Sequence, residues 1–135
     1  PGLPPNVARL AAIRNAVWSA MPARVEAPLH GIGIGKGSAV GTARIVQHPD
    51  EIDRLADGDI LLSIATTTAF NAVFPLLAGV VTQQGGLLSH AAILSRELEL
   101  PAVVGVTDLF DGVRDGDVIE VDAAAGAVRV VSRAD

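Results

Sequence analysis

The sequence is poor in several residue types that carry chemistry. Its 135 residues include no cysteine, no tyrosine and one tryptophan, and aromatic residues make up 3% of the chain. Without cysteine there is no disulfide framework, no thiolate nucleophile, no zinc knuckle and no iron–sulfur cluster. The absence of cysteine therefore gives no information about the cellular compartment. We expect a cytoplasmic protein.

Positive charge and long apolar runs are also scarce. The formal net charge is −5, and the ten Lys and Arg residues do not cluster, so we expect no nucleic-acid partner. The longest apolar stretch, residues 73–81, contains Pro75 and Gly79 and is too short to span a bilayer. The first residues resemble no signal peptide. Because the sequence starts at Pro1, we expect it to be a piece of a longer protein.

The sequence divides into two segments with different residue patterns. Apolar residues recur at helical spacing over residues 6–20, between flanking prolines, which predicts an amphipathic helix. We interpret residues 1–29 as a linker or N-terminal helix; packing of this helix on the chain's own core is an equally good interpretation. Residues 30–135 form the predicted domain, which is long enough to bury a core.

The predicted domain alternates short strands with helices. The central segments suggest parallel strands joined by crossovers, and the flanking segments suggest antiparallel pairs. The expected class is therefore α/β with a mixed sheet. The predicted strands are 39–47, 60–64, 79–82, 102–106, 118–122 and 127–131, and the predicted helices are 69–78 and 89–98.

A glycine-rich run at residues 31–37 invites comparison with phosphate-binding loops. It matches neither template: His30 stands where a Walker A loop needs its first glycine, and Lys36 stands where a dinucleotide fingerprint needs its third. We predict a structural loop, since glycine permits tight turns at little steric cost.

The segment that begins at Gly85 and Gly86 has the pattern of an anion site. Ser89 is a favoured N-cap residue, and the Ala- and Leu-rich stretch after it predicts a helix that ends before Pro101. The start of such a helix offers free N–H groups and the positive end of the helix dipole. His90 lies in this first turn, where a neutral imidazole is a good nucleophile. The alternative for any single histidine is a purely structural role.

Two further candidates flank this segment. Arg96 lies nearly two turns along the helix and could reach back to a phosphate, although spacing alone favours a surface pair with Glu97 or Glu99. The threonine run at residues 66–68 follows a predicted strand, and strand ends of this kind line ligand crevices. The alternative is helix capping by one of the threonines.

The stretch from Gly85 to Gly105, with Gly-Gly-x-x-Ser-His, a downstream Arg and Pro-Ala-Val-Val-Gly, resembles the phosphohistidine motif of the PEP-utilising enzymes. The resemblance covers about residues 31–131. It implies a swivelling β/β/α domain that carries a phosphoryl group on a histidine between two remote active sites. By this resemblance His90 is the phosphorylated residue. The implied phosphate-binding residues are Gly85, Gly86, Ser89, Arg96 and Thr66.

The resemblance also implies what other domains supply. Relatives of this family join such a domain to an ATP-grasp nucleotide-binding domain and to a PEP- or acceptor-binding domain. We therefore expect no cofactor or metal site in this chain, and Mg²⁺ with ATP or PEP in partner domains. Some relatives carry a regulatory threonine where Leu88 stands, so phosphorylation at that position is excluded here. Two alternatives stay open: a non-catalytic interaction module that keeps the fold, and a small-molecule-binding α/β domain.

Overall fold

The computed structural model describes residues 27–134, which form a layered domain of strands and short helices. The predicted helix over residues 6–20 lies outside these residues. The strands are β1 Leu29–His30, β2 Ile32–Ile34, β3 Ser38–Ile45, β4 Ile60–Ser63, β5 Gly79–Thr82, β6 Ala102–Val104, β7 Val118–Asp122 and β8 Ala127–Ser132. The helices are α1 His90–Glu97 and α2 Leu109–Gly112, with 3-10 turns at Pro49–Arg54, Thr68–Phe70 and Phe74–Leu76.

The strands form a mixed sheet in the order β1-β8-β7-β3-β4-β5-β6-β2. Strands β4 to β6 pair in parallel, as the sequence predicts for the central segments. Strand β3, which the sequence predicts as an antiparallel flank, also pairs in parallel with β4. Strand β7 pairs antiparallel with both β3 and β8, again as predicted. Strands β1 and β2 are separated by Gly31 alone, yet they pair with β8 and β6 at opposite ends of this order. The sheet is therefore bent into two layers that this short segment joins.

Two apolar cores lie on the two faces of the central parallel strands. Ile60 and Leu62 of β4 face a core shared with β7, β8 and α2, whereas Leu61 faces a second core under α1 and the 3-10 turns. This alternation follows from the two-residue period of a strand. All residues of β4 and β5 are buried, as expected for continuous apolar strands of a parallel sheet. The result is a β/β/α layering with α1 outermost.

The glycine-rich run is only partly the predicted loop, because it contains β2. A Cβ atom on Gly33 would lie 1.8 Å from the backbone oxygen of Ala123, and one on Gly31 would lie 2.5 Å from that of Val104. These glycines let three backbone segments approach closely. Glycine is depleted in strands and typical of turns, which is why the sequence does not reveal β2 although Ile32 and Ile34 alternate with glycines.

The predicted helix over residues 69–78 is instead two separate 3-10 turns. Pro75 has no N–H group to continue a helix, and the chain must turn back at once into β5. Phe70 and Phe74 point into the core from these turns and are almost fully buried. The turns therefore anchor the connection between β4 and β5 without forming a regular helix.

Asp117 is a buried carboxylate that holds the chain around the start of β7. Its Oδ1 accepts a hydrogen bond from the N–H of Ala134 at 2.8 Å, and its Oδ2 accepts from the N–H of Arg114 at 2.9 Å and from Arg133 at 2.8 Å. Burial raises the pKa of Asp117, but these hydrogen bonds and the charge of Arg133 outweigh it and leave the pKa below its ordinary range.

We expect protonation of Asp117 at low pH to lower the free energy of unfolding. The contribution of the carboxylate is complete above the pKa of an unfolded Asp, about 3.9, and is lost as the pH falls through the lower folded-state pKa. Asp117→Asn should remove this acid-dependent part and lower the free energy of unfolding at neutral pH by about 1–3 kcal/mol, because an NH₂ group replaces one of the two acceptor oxygens and the charge that pairs with Arg133 is lost. Urea unfolding across the acid range measures both effects, with the exposed Asp111→Asn as control. An unchanged acid dependence in the Asp117 variant would contradict this assignment.

Candidate functional site

The site lies where the parallel strands β4 and β5 end side by side. The ladder between them continues past the strands, since the N–H of Gln83 donates to Ser63 O at 3.0 Å and that of Gln84 donates to Ile64 O at 2.9 Å. The loop after β4 and the loop after β5 therefore leave the sheet together. This is the edge at which α/β sheets bind ligands.

The loop after β5 is a tight glycine turn that leads into α1. Gly85 has a φ of +113°, a conformation that side chains disfavour, and a Cβ there would lie 3.0 Å from Ser89. Ser89 caps α1 as the sequence predicts: its hydroxyl accepts from the N–H of Ala92 at 3.3 Å and donates to Gly86 O at 2.8 Å. The cap fixes the glycine turn against the helix start.

The start of α1 keeps unused hydrogen-bond donors. Within the part of the chain that the structure describes, the N–H groups of His90 and Ala91 have no acceptor, whereas that of Ala92 is used by the Ser89 cap. Such donors, together with the dipole of an eight-residue helix, favour an anion at this end.

The imidazole of His90 is held on both nitrogens by the loop after β4. Its Nδ1 lies 2.7 Å from the hydroxyl oxygen of Thr66, and its Nε2 lies 2.7 Å from Oδ1 of Asn71. The ring also meets Phe74 edge-on, with the ring centres 5.9 Å apart. Thr66 is buried and Asn71 is exposed, so Nδ1 faces inward and Nε2 faces solvent.

Of the threonines in the run, Thr66 is the one that reaches the histidine. Thr67 and Thr68 are exposed, and Thr67 precedes the 3-10 turn. The sequence singles out the run as a group and the resemblance points to Thr66; the structure places Thr66 against the ring.

Arg96 is exposed and turns back towards the loop that carries the histidine. Its guanidinium donates to Leu87 O at 3.0 Å. Among the described residues it forms no ion pair with Glu97 or Glu99, the partners that spacing alone favours. Because a guanidinium has five N–H donors, this one contact leaves several free for an anion.

The rim of the site is apolar and open. Leu87 and Leu88, between the glycines and His90, are 57% and 86% exposed. Over residues 27–134 there is no group of three or more His, Asp or Glu side chains placed to hold a metal ion, and no helix is long and apolar enough to cross a membrane.

Residues 55–126 match the family model of the PEP-utilising enzyme mobile domain. The chain belongs to this family. The matched range contains both loops of the site and the three described partners of the His90 ring, Thr66, Asn71 and Phe74.

Two of the curated relatives are named as phosphotransferases. The chain is 39% identical over 108 residues to an uncharacterised phosphotransferase of Bacillus subtilis, YvkC. The aligned region covers 80% of this chain and 13% of YvkC. The chain is 37% identical over 107 residues to the rifampicin phosphotransferase of Streptomyces sviceus, covering 79% of this chain and 12% of the relative. The chain thus spans only a small part of these relatives, which continue well beyond the mobile domain.

The fold of the mobile domain recurs in solved structures. A solution structure of Enzyme I aligns with 59% of this chain and 33% of its own, at 33% identity and a TM-score of 0.52. The α/β class and the mixed sheet predicted from the sequence are confirmed by this likeness and by the strand order.

Asn71 is the site residue that sequence reasoning misses. It lies 19 positions before His90, within a segment predicted as an ordinary helix, and polarity alone does not distinguish it from a solvated surface residue. The signal that could reveal it is an isolated amide among apolar residues, a few positions after the threonine run. Its position becomes meaningful only once β4 and β5 are known to be neighbours.

The two glycines of the mobile-domain turn should respond differently to alanine. Gly85→Ala should lower the free energy of unfolding by at least about 1 kcal/mol, since its positive φ is strained for alanine and the Cβ meets Ser89. Gly86→Ala should change it by less than about 0.5 kcal/mol, because no atom lies within 4 Å of its Cβ position. Urea unfolding of both variants measures this; equal destabilisation would contradict the described turn.

Proposed function

We propose that this domain is a phosphoryl carrier, in which His90 accepts a phosphoryl group at one active site and delivers it at another. The observation that carries the proposal is the placement of the ring. One nitrogen faces inward to Thr66 and the other faces solvent, beside the unused N–H groups at the start of α1. Membership in a family of mobile domains from phosphotransferases supports it.

The transfer step uses Nε2 as the nucleophile. Its lone pair attacks phosphorus and forms an N–P bond, while the P–O bond to the donor breaks and its electron pair leaves with the donor oxygen. The reacting ring carries its proton on Nδ1, and this N–H donates a hydrogen bond to the Thr66 hydroxyl, which disperses the positive charge that develops on the ring. In the second step an acceptor oxygen attacks phosphorus, and the N–P electron pair returns to Nε2.

The chain's own groups stabilise the phosphoryl oxygens. The N–H groups of His90 and Ala91 and the helix dipole favour negative charge at this point, and Gly86 leaves open space for an incoming group. Arg96 adds a cation whose free N–H groups can contact phosphate oxygens in pairs. A single preorganised donor of this kind is worth roughly 10²–10³ in rate where it contacts the developing charge.

The donor and the acceptor belong to partner domains in this proposal. The mobile domain is a small part of its relatives' length, and the residues described here offer no cluster of metal ligands. We assign Mg²⁺ with ATP or PEP to an ATP-grasp nucleotide-binding domain and to a PEP- or acceptor-binding domain. The exposed Leu87 and Leu88 beside the reactive ring are the surface that these domains would cover in turn.

The test is phosphoryl labelling of His90. The chain is incubated with Mg²⁺, radiolabelled PEP or ATP, and the donor domains of the multidomain enzyme. We expect a label that is stable in base and lost in acid, as an N–P bond requires. His90→Ala should abolish the label, whereas His48→Ala, a change at an exposed position next to the 3-10 turn Pro49–Arg54, should keep it.

Two results would contradict the carrier function. One is the absence of label on the wild-type chain with either donor, which would favour a non-catalytic interaction module that keeps the fold. The other is equal labelling of wild type and His90→Ala, which would place the phosphoryl group elsewhere. Circular dichroism of the unlabelled variants should match that of the wild type, which checks that neither histidine substitution disturbs the fold.

A further inference from the structure

The hydrogen bond between His90 and Asn71 fixes where the ring proton lies. Oδ1 of an asparagine amide can only accept a hydrogen bond, so with the amide in this orientation the 2.7 Å contact is a hydrogen bond when Nε2 carries the proton. A neutral imidazole has one such proton, so Nδ1 has a lone pair and accepts from the Thr66 hydroxyl. For a neutral ring, this arrangement of partners corresponds to the Nε2–H tautomer.

This tautomer cannot react at its exposed nitrogen. The in-plane electron pair of Nε2 is tied up in the N–H bond, and the free pair on Nδ1 points at Thr66, which is 7% exposed. The arrangement thus presents no accessible lone pair to a phosphoryl donor. The ring must exchange its proton with solvent, from Nε2 to Nδ1, before an N–P bond can form at Nε2.

We propose that Asn71 is a positioning residue that holds this resting tautomer and, by turning its amide over, supports the reactive one. The inference rests on the proposed carrier function. In the reactive tautomer Nδ1–H donates to the Thr66 hydroxyl, and the Asn71 amide turns away from the Nε2 lone pair, so that the phosphorus of the donor can approach it. Once the phosphoryl group is on Nε2, the Asn71 NH₂ group donates to a phosphoryl oxygen.

The residue types at the two positions suit this reversal. A hydroxyl can both donate and accept, and an amide carries a donor and an acceptor on one rotatable group. Thr66 and Asn71 can therefore exchange roles without moving their backbones. A carboxylate in place of Asn71 would only accept, and would hold the proton on Nε2.

The backbone of Asn71 is fixed although its side chain is exposed. Its N–H donates to Thr68 O at 3.0 Å, at the end of a 3-10 turn. Phe70 on one side and Phe74 on the other are buried in the core, and Phe74 also touches the imidazole. The amide is thus presented to Nε2 by an anchored loop, with freedom to rotate about its own side-chain bonds.

The first measurement locates the proton on the His90 ring by NMR. In ¹⁵N-labelled chain, a long-range ¹H–¹⁵N correlation spectrum should show Nε2 of His90 protonated, with its proton visible because the hydrogen bond slows exchange with water. Asn71→Ala should remove that proton signal, since an exposed N–H without an acceptor exchanges rapidly. Thr67→Ala, in the same loop but without contact to the ring, should keep it. A wild-type ring protonated on Nδ1, or a signal unchanged by Asn71→Ala, would overturn the proposal.

The second measurement is the labelling rate with the same donor domains. Asn71→Asp should slow labelling of His90 by roughly tenfold or more, because a carboxylate cannot donate and repels phosphoryl oxygens. Labelling of Asn71→Asp at the wild-type rate, with wild type labelled on His90, would overturn the role of Asn71 alone and leave the carrier function standing. Absence of label on wild type would overturn both.

Discussion

The parallel pairing of β4 with β5 is the constraint on which the site depends. It brings two loops, separated in the chain by β5, out of the same edge of the sheet, and the hydrogen bonds from Gln83 and Gln84 keep them together beyond the strand ends. One loop supplies the imidazole and the helix start; the other supplies Thr66 and Asn71. If the register of β4 against β5 shifted by one residue, Leu61 would exchange faces with its neighbours and both cores would be lost.

The site is built mainly from neutral groups, and this suits the proposed role of a reversible carrier. The partners of the His90 ring are a hydroxyl, an amide and the edge of Phe74, and the nearby anion donors are backbone N–H groups with one exposed guanidinium, Arg96. A cluster of buried cations would bind a phosphoryl group tightly and hinder its release to the acceptor. Neutral hydrogen-bond donors orient the phosphoryl group. They leave the free energy of the phosphorylated histidine close to that of the phosphoryl donor and of the phosphorylated acceptor.

Local signals explain what the sequence could predict. Ser89 followed by an Ala- and Leu-rich stretch predicts the start of α1, and the continuous apolar runs predict β4 and β5 as buried strands. These elements carry His90, Gly85 and Gly86, so the half of the site that lies on the β5–α1 connection is readable from the sequence. The resemblance to a known family adds Arg96 and Thr66.

Non-local packing explains what the sequence could not predict. The sequence does not predict β2, because glycines are typical of loops. These glycines are needed because the backbones of Ala123 and Val104, which are far away in the chain, approach closely here. The segment 69–78 has helical composition, but its two buried phenylalanines and Pro75 must fit the short return to β5, and 3-10 turns result. Asn71 belongs to that segment, so its meeting with Nε2 emerges only from the tertiary structure.

Identifying the ring nitrogen that carries the phosphoryl group tests the proposed carrier mechanism most directly. In phosphorylated, ¹⁵N-labelled chain, ³¹P–¹⁵N coupling identifies that nitrogen, because Nε2 correlates with both carbon-bound ring protons of His90 and Nδ1 correlates strongly with only one. The account predicts coupling to Nε2, the nitrogen that faces solvent beside Asn71. Coupling to Nδ1, which faces the buried Thr66, or to a nitrogen of another residue would contradict it.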